Sequence, residues 1–449
     1  MVAVAVAAVV LLFPRDGGDA EQQAVPIGVP GQVLLPSLRE QPVVGWRVDL
    51  AALLPDVQGA SLSARVAGHI ETRGYFKILA VGDTDSLERQ WVVGIDLATG
   101  TPLFAPVELG ANSGTNCYVN GPQRLVCTSS FGNGDPPLAW VIDSVTGAVI
   151  YTGPTDLKSG ISDSDGFKLT QIGDYVVAAK KRVGWYGVGD QGQTTWFVAG
   201  LGDEAVDRVQ ADQFPGDRVA NIAATPGTDN SWTVFSSVDG SQLISNHGAG
   251  WLSPLVGGGF VVMDRQSPAG FQFYDARGAR VGEWRPQEGT SAELAVGADQ
   301  LAVVTLSDLG GSSAKQVTLT GDGRVMAETN SQSLGYGIRI IGDYMFAAGA
   351  DTETDPDTVW NKFDLKTGNP VSSCAALPLA RNDFVGSDGT VVLGRQSKPG
   401  HPLDGILRAV DSNTCQTLWQ IPNPPEMITI GTTLVQTPRG EISSLVPPA

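Results

Sequence analysis

An aspartate followed four residues later by a glycine closes strand after strand in this chain, and the distance between successive copies limits what the chain can fold into. The motif stands in "WVVGIDLATG" (residues 91–100), "AWVIDSVTG" (residues 139–147) and "VWNKFDLKTG" (residues 359–368). With the aspartate as a ruler, Asp96, Asp143, Asp239, Asp275, Asp322, Asp364 and Asp411 are separated by 47, 96, 36, 47, 42 and 47 residues. The long gap is two steps, and a degenerate unit, "TTWFVAGLGDEA" (residues 194–205), stands where the missing member belongs. Eight units then run from Asp96 to Asp411 at a mean spacing of about 45 residues.

Turn chemistry explains the motif. An aspartate carboxylate accepts hydrogen bonds from the backbone N–H groups just ahead of it, and a glycine takes a positive φ without steric cost. Asp96 with Gly100, Asp143 with Gly147, and Asp364 with Gly368 therefore pin hairpin register, and a one-residue slip would turn every buried side chain to the wrong face. These six residues are read as structural, not catalytic.

Each unit also carries a short apolar strand, such as "YFKILAVG" (residues 75–82), "DYVVAAKK" (residues 174–181) and "DYMFAAG" (residues 343–349). Runs apolar on both faces belong deep in a packed sheet. Short strands rich in Val, Ile, Thr and aromatics, each ended by Gly, Asp, Asn or Pro, make the chain all-β. Repeats of 40 to 50 residues with four strands indicate a β-propeller, in which no blade can cover both of its own faces. "GWRVDL" (residues 45–50) reads as an outer strand without its own unit, while "TTLVQT" (residues 432–437) and "EISSLV" (residues 441–446) read as inner strands without an outer one. Pairing them closes the ring from both termini. Eight units plus this composite would make nine, beyond the usual four to eight blades. The expectation is therefore eight blades, with one weak unit absorbed as a decorated loop, and seven as the alternative.

The turn strands "IDLATGTPLF" (residues 95–104), "FDLKTGNPV" (residues 363–371) and "VDSNTCQTLW" (residues 410–419) resemble the repeat of the PQQ-like, or quinoprotein-dehydrogenase-like, β-propellers. That group includes pyrroloquinoline-quinone alcohol dehydrogenases and the outer-membrane assembly lipoproteins. The resemblance covers nearly all of residues 46–446. Its enzymes hold the quinone beside an adjacent Cys–Cys disulfide with a calcium ion. No Cys–Cys pair occurs here, so no residue is carried over as a quinone or calcium ligand, and no cofactor is expected. The resemblance then implies a non-enzymatic member.

Residues 1–13, "MVAVAVAAVVLLF", are apolar throughout and are followed at once by "PRDGGDAEQQ". A spanning helix needs about 20 apolar residues, and the basic start and cleavage site of a complete signal peptide are absent. The segment is read as the latter part of a signal-anchor or transmembrane helix, with a buried strand as the alternative. Residues 14–44 are then a tether, and residues 45–449 a propeller on the extracytoplasmic side of a single-pass membrane attachment.

Four cysteines suit that compartment. Cys117 and Cys127 flank "YVNGPQRLV", so strands folding back around residues 120–123 would set them opposite each other, while Cys374 and Cys415 stand 41 apart, about one repeat. A net charge of -18 and the lack of any Lys/Arg block argue against nucleic acid as a partner.

Motifs with chemical potential fall to turn chemistry. "GVGDQG" (residues 187–192) matches G-x-G-x-x-G, yet a strand and not a helix follows it. "DSDG" (residues 163–166) and "DTETDPD" (residues 351–357) lack a calcium loop's closing glutamate. "GNGDPP" (residues 132–137) is a turn, and "SSAK" (residues 312–315) has none of its companion motifs. No catalytic, cofactor-binding or metal-ligating residue is assigned. The expected function is a non-catalytic binding or scaffold module of the bacterial cell envelope, engaging an envelope protein or a small ligand on a propeller face. The alternative is a quinoprotein dehydrogenase or glycan-active enzyme with its site in the central funnel.

Overall fold

A computed structural model describes residues 32–449 apart from 58, 83–88, 111–113, 130–136, 159–165, 203–220, 227–231, 248–249, 256–258, 265–269, 295–300, 309–313, 331–336, 349–357, 376, 381–382 and 399–400. Nine antiparallel sheets follow one another along the chain. Blade 1 comprises Ser61–Ile70, Arg73–Val81, Arg89–Asp96 and Val107–Glu108, in that spatial order. Blades 2, 3 and 5 to 8 repeat this order, and blade 9 takes Met427–Ile430, Thr433–Gln436 and Glu441–Val446 from the C-terminus and Val43–Asp49 from the N-terminus. The clasp is antiparallel, with Val43 opposite Val446 and Asp49 opposite Glu441.

The blade count corrects the expectation of eight, or seven: there are nine blades, and no unit is absorbed as a loop. The weak unit is also displaced from its expected place. Thr194–Ala199 is the fourth strand of blade 3, and the turn before it is formed by residues 189–193, where Gly189 N–H donates to Gln193 O and Gly192 N–H to Gly189 O. Its sequence departs from the motif because glycine supplies the turn, while apolar strands still supply the blade. Trp185 is buried at the seam with Phe235 of blade 4. Blade 4 shows three strands, Ile222–Pro226, Trp232–Ser236 and Gln242–His247, with residues 203–220 before them outside the described residues.

The cores lie between blades. One cluster joins Ile430, Val435 and Ile442 of blade 9 to Ile78, Trp91 and Ile95 of blade 1, and another joins Phe271 and Phe273 of blade 5 to Val304 and Val317 of blade 6. Removing a neighbour would therefore expose a whole sheet face to water. The first strands of adjacent blades meet, as Ser61–Ile70 meets Thr115–Val119, and line the axis; the fourth strands form the rim.

Turns between first and second strands share one end of the ring with the ruler turns. Leu97 N–H donates to Thr72 O, Ser144 to Gln123 O, Leu365 to Asp343 O and Ser412 to Thr390 O. We call this end the turn face and the opposite end the far face.

Each ruler turn also does something its sequence does not announce: it packs on the outer segment of the preceding blade. A Cβ on Gly100 would stand 2.6 Å from the Trp46 ring of blade 9, one on Gly147 2.5 Å from the Phe104 ring of blade 1, and one on Gly240 2.6 Å from the Trp196 ring of blade 3. Glycine is thus required twice, for its φ of +71° at Gly147 and for the space its missing side chain leaves. Replacing Gly147 by alanine should cost about 2–3 kcal/mol, from left-handed strain and overpacking together. Gly289→Ala isolates the first effect, since Gly289 has φ +85° and nothing within 4 Å of its Cβ, and should cost only about 1 kcal/mol. Equal losses in chemical denaturation would refute the packing role.

Candidate functional site

The turn residues behave as their chemistry requires. Asp96 Oδ1 accepts from the N–H of Ala98 and Thr99, Asp143 Oδ1 from Val145 and Thr146, and Asp364 Oδ1 from Lys366 and Thr367. Gly100, Gly147 and Gly368 N–H groups close the same turns onto Asp96, Asp143 and Asp364 carbonyls. The Thr146 N–H, with Val145 and Arg124 assisting, holds the Asp143 carboxyl below its ordinary value. In blade 4 the closing acceptor is Ser236, not Asp239, which binds Ser241 instead.

Both cysteine pairs are disulfides. Cys117 in Thr115–Val119 lies directly opposite Cys127 in Arg124–Ser129, with Cα atoms 4.0 Å apart. Cys374 in the fourth strand of blade 7, Pro370–Ala375, is bonded to Cys415 in the ruler turn of blade 8. Cys415 occupies the glycine position of that turn: its N–H donates to Asp411 O, and its φ is +60°. One seam thus replaces glycine packing by a covalent bond. With Cys374→Ser as background, Cys415→Gly should be about 1 kcal/mol more stable than Cys415→Ser, measurable by thermal unfolding.

The same seam gathers buried cations. Lys362, in the third strand of blade 7 (Val359–Asp364), is 1% exposed. Its Nζ lies 3.7 Å from the centre of the Tyr344 ring and donates to Asn413 Oδ1 at 2.6 Å and Ser412 Oγ at 3.3 Å. Burial lowers its pKa to about 8, partly opposed by Asp411. The unfolded chain then binds more protons than the folded one between about pH 8 and 10.5, so stability attributable to Lys362 rises with pH across that window. Wild type should gain stability over Lys362→Met between pH 7.5 and 10; parallel curves would refute this.

Nearer the axis, on the same cross-strand row, Arg339 of blade 7 is 5% exposed, donates from Nε to Leu379 O, and stacks 4.4 Å over the Phe384 ring of blade 8. Arg408 has its guanidinium pKa lowered by burial, with Asp383 opposing; Asp383 in turn is raised by burial. On the other side of blade 8, Arg395 donates from Nη2 to Pro425 O at 2.9 Å and is likewise lowered by burial, with Glu426 opposing. Buried arginines coupled to carboxylates thus brace both seams of blade 8. Sequence reading missed them because residues as far apart as Arg339 and Glu426 are brought to one blade.

Residues 187–192 run from the end of the strand Gly184–Val188 into a hairpin turn, where Arg124 Nε of blade 2 meets Asp190 at 3.4 Å. Residues 351–357 lie outside the described residues, as do parts of 132–137, 163–166 and 312–315. Among the described residues no group of three or more His, Cys, Asp or Glu side chains is placed to hold a metal, and no helix is long and apolar enough to cross a membrane. Residues 1–13 lie outside that set.

Nine blades closed by both chain ends, eight of them four-stranded among the described residues, define a nine-bladed β-propeller. Residues 19–448 match the conjugation-associated 9-bladed beta-propeller domain, and the chain belongs to that family. It is similar to an uncharacterized protein of Mycolicibacterium smegmatis (strain MKD8), 30% identical over 419 residues that cover 88% of this chain and 81% of that protein. Among solved structures, BamB from Moraxella catarrhalis is 13% identical with a TM-score of 0.39, covering 90% of this chain and 99% of that one. A quinohemoprotein alcohol dehydrogenase from Comamonas testosteroni is 10% identical with a TM-score of 0.34, covering 92% and 78%. These two likenesses concern fold alone.

Proposed function

We propose that the chain is a membrane-anchored, extracytoplasmic propeller acting as a non-catalytic binding or scaffold module of the bacterial cell envelope, within the apparatus of conjugation. The observation that carries this reading is the match of residues 19–448 to a family whose description ties it to conjugation. The apolar run of residues 1–13 supports the anchor. A net charge of -18 supports a role in holding protein or small-ligand components, since contact with a transferred DNA strand needs a basic surface.

Membrane fractionation and cross-linking in conjugating cells test it. The chain is expected in the membrane fraction, cross-linked to another envelope component, and its deletion should lower transfer frequency. A purified chain carrying a stoichiometric quinone or metal, by absorbance and elemental analysis, would overturn the scaffold reading in favour of an enzyme.

A further inference from the structure

Residues 32–42 form a strap on the turn face. Gln32 brackets the first turn of blade 7, donating from Nε2 to Ile340 O at 2.7 Å and accepting from Gly342 N–H at 2.8 Å. Leu35 N–H donates to Ser387 O, and Leu38 N–H to Asp388 Oδ2. Leu35 and Leu38 are buried among Val385, Leu393 and Leu434. Arg39 pairs with Asp411 at 3.2 Å, and the chain then enters Val43–Asp49 at the rim. Because Ile340 belongs to a first strand, the strap begins near the axis and runs outward.

The geometry points to an oriented ring: the turn face is held toward the membrane and the far face away from it. This inference rests on the anchored reading proposed above. Nine sheets packed about 10 Å apart put the middle of each blade about 14 Å from the axis, and strands spaced about 4.8 Å put the first strands at about 7 Å and the rim at about 21 Å. Strands of six to eight residues make the ring about 20–25 Å tall. Were the far face to meet the bilayer, residues 14–31 would have to run from near the axis to the rim and down the side, about 35–40 Å. Eighteen residues span about 60 Å fully extended and about 23 Å as a flexible chain. A flexible chain reaches that far in only a few per cent of configurations. With the turn face toward the membrane no detour is needed.

The far face is thus turned away from the bilayer.

Fluorophores on engineered cysteines test the orientation in the full chain reconstituted into phosphatidylcholine vesicles with headgroup acceptors. Val145 and Val238 are 50% and 46% exposed at turn-face apices, and Val183 is 38% exposed on the far side of blade 3. Energy transfer from Val145→Cys and Val238→Cys should exceed that from Val183→Cys, corresponding to a difference in depth of about 20 Å. A chain that floats with the vesicles yet shows equal or reversed transfer overturns the orientation alone. A chain that does not float overturns the anchored reading, and the orientation with it.

Discussion

Deleting residues 32–42 is expected to lower stability by about 5–8 kcal/mol, as two buried leucines and several backbone and side-chain hydrogen bonds are lost together. The loss should be concentrated in blades 7 to 9, because the strap supplies what the ninth blade lacks. Elsewhere an outer tryptophan is capped by the next blade's ruler turn: Trp46 Nε1 of blade 9 donates to Leu97 O at 2.7 Å. Blade 9 has chain ends where its ruler turn would be, and Trp419 Nε1 of blade 8 donates instead to Leu38 O at 2.8 Å. Hydrogen exchange should show early exposure of Thr417–Pro422 and Glu441–Val446 in the deletion variant, while blades 2 to 5 stay protected. Leu38→Ala should reproduce about half of the effect, and Trp419→Phe about 1 kcal/mol. Unchanged melting on deletion would show that the clasp between Val43–Asp49 and Glu441–Val446 closes the ring unaided.

Loss of the Cys374–Cys415 bond should be the next largest effect. The bond closes a loop of 41 residues, for which restriction of the unfolded chain contributes about 4 kcal/mol. The Cys117–Cys127 bond spans 10 residues in a single hairpin and should contribute about 2.7 kcal/mol on the same basis. Cys374→Ser with Cys415→Gly should therefore destabilise more than the corresponding double replacement at Cys117 and Cys127, read as denaturant midpoints. The reverse order would mean that Lys362 and the strap already hold the seam of blades 7 and 8.

The parts legible in the sequence were those set by neighbours along the chain. The Asp96, Asp143 and Asp364 turns, the Cys117–Cys127 hairpin and the apolar second strands follow from local chemistry. The clasp of the two ends was legible too, because a strand without a unit and a unit without a strand complement each other. Blade 3 was misplaced because residues 189–193 make the same bend with glycines, and the count fell short because a limit drawn from commoner rings outweighed the units present. Lys362, the strap and the arginines of blades 7 and 8 were not legible: their burial depends on blades that meet only after the ring has closed. The blade 8 turn was a partial exception, since Cys415 in the glycine place of "DSNTCQ" marked a departure whose meaning needed Cys374 beside it.

The composite blade also sets a schedule for biosynthesis. Val43–Asp49 leaves the ribosome 392 residues before Glu441, its partner, an interval of about 20–80 s at ordinary elongation rates. Throughout that time its edge has nothing to pair with, and an unpaired β edge invites association between nascent chains. A secretion route that keeps the emerging N-terminal strand apart from other copies until the last strand arrives would meet that hazard.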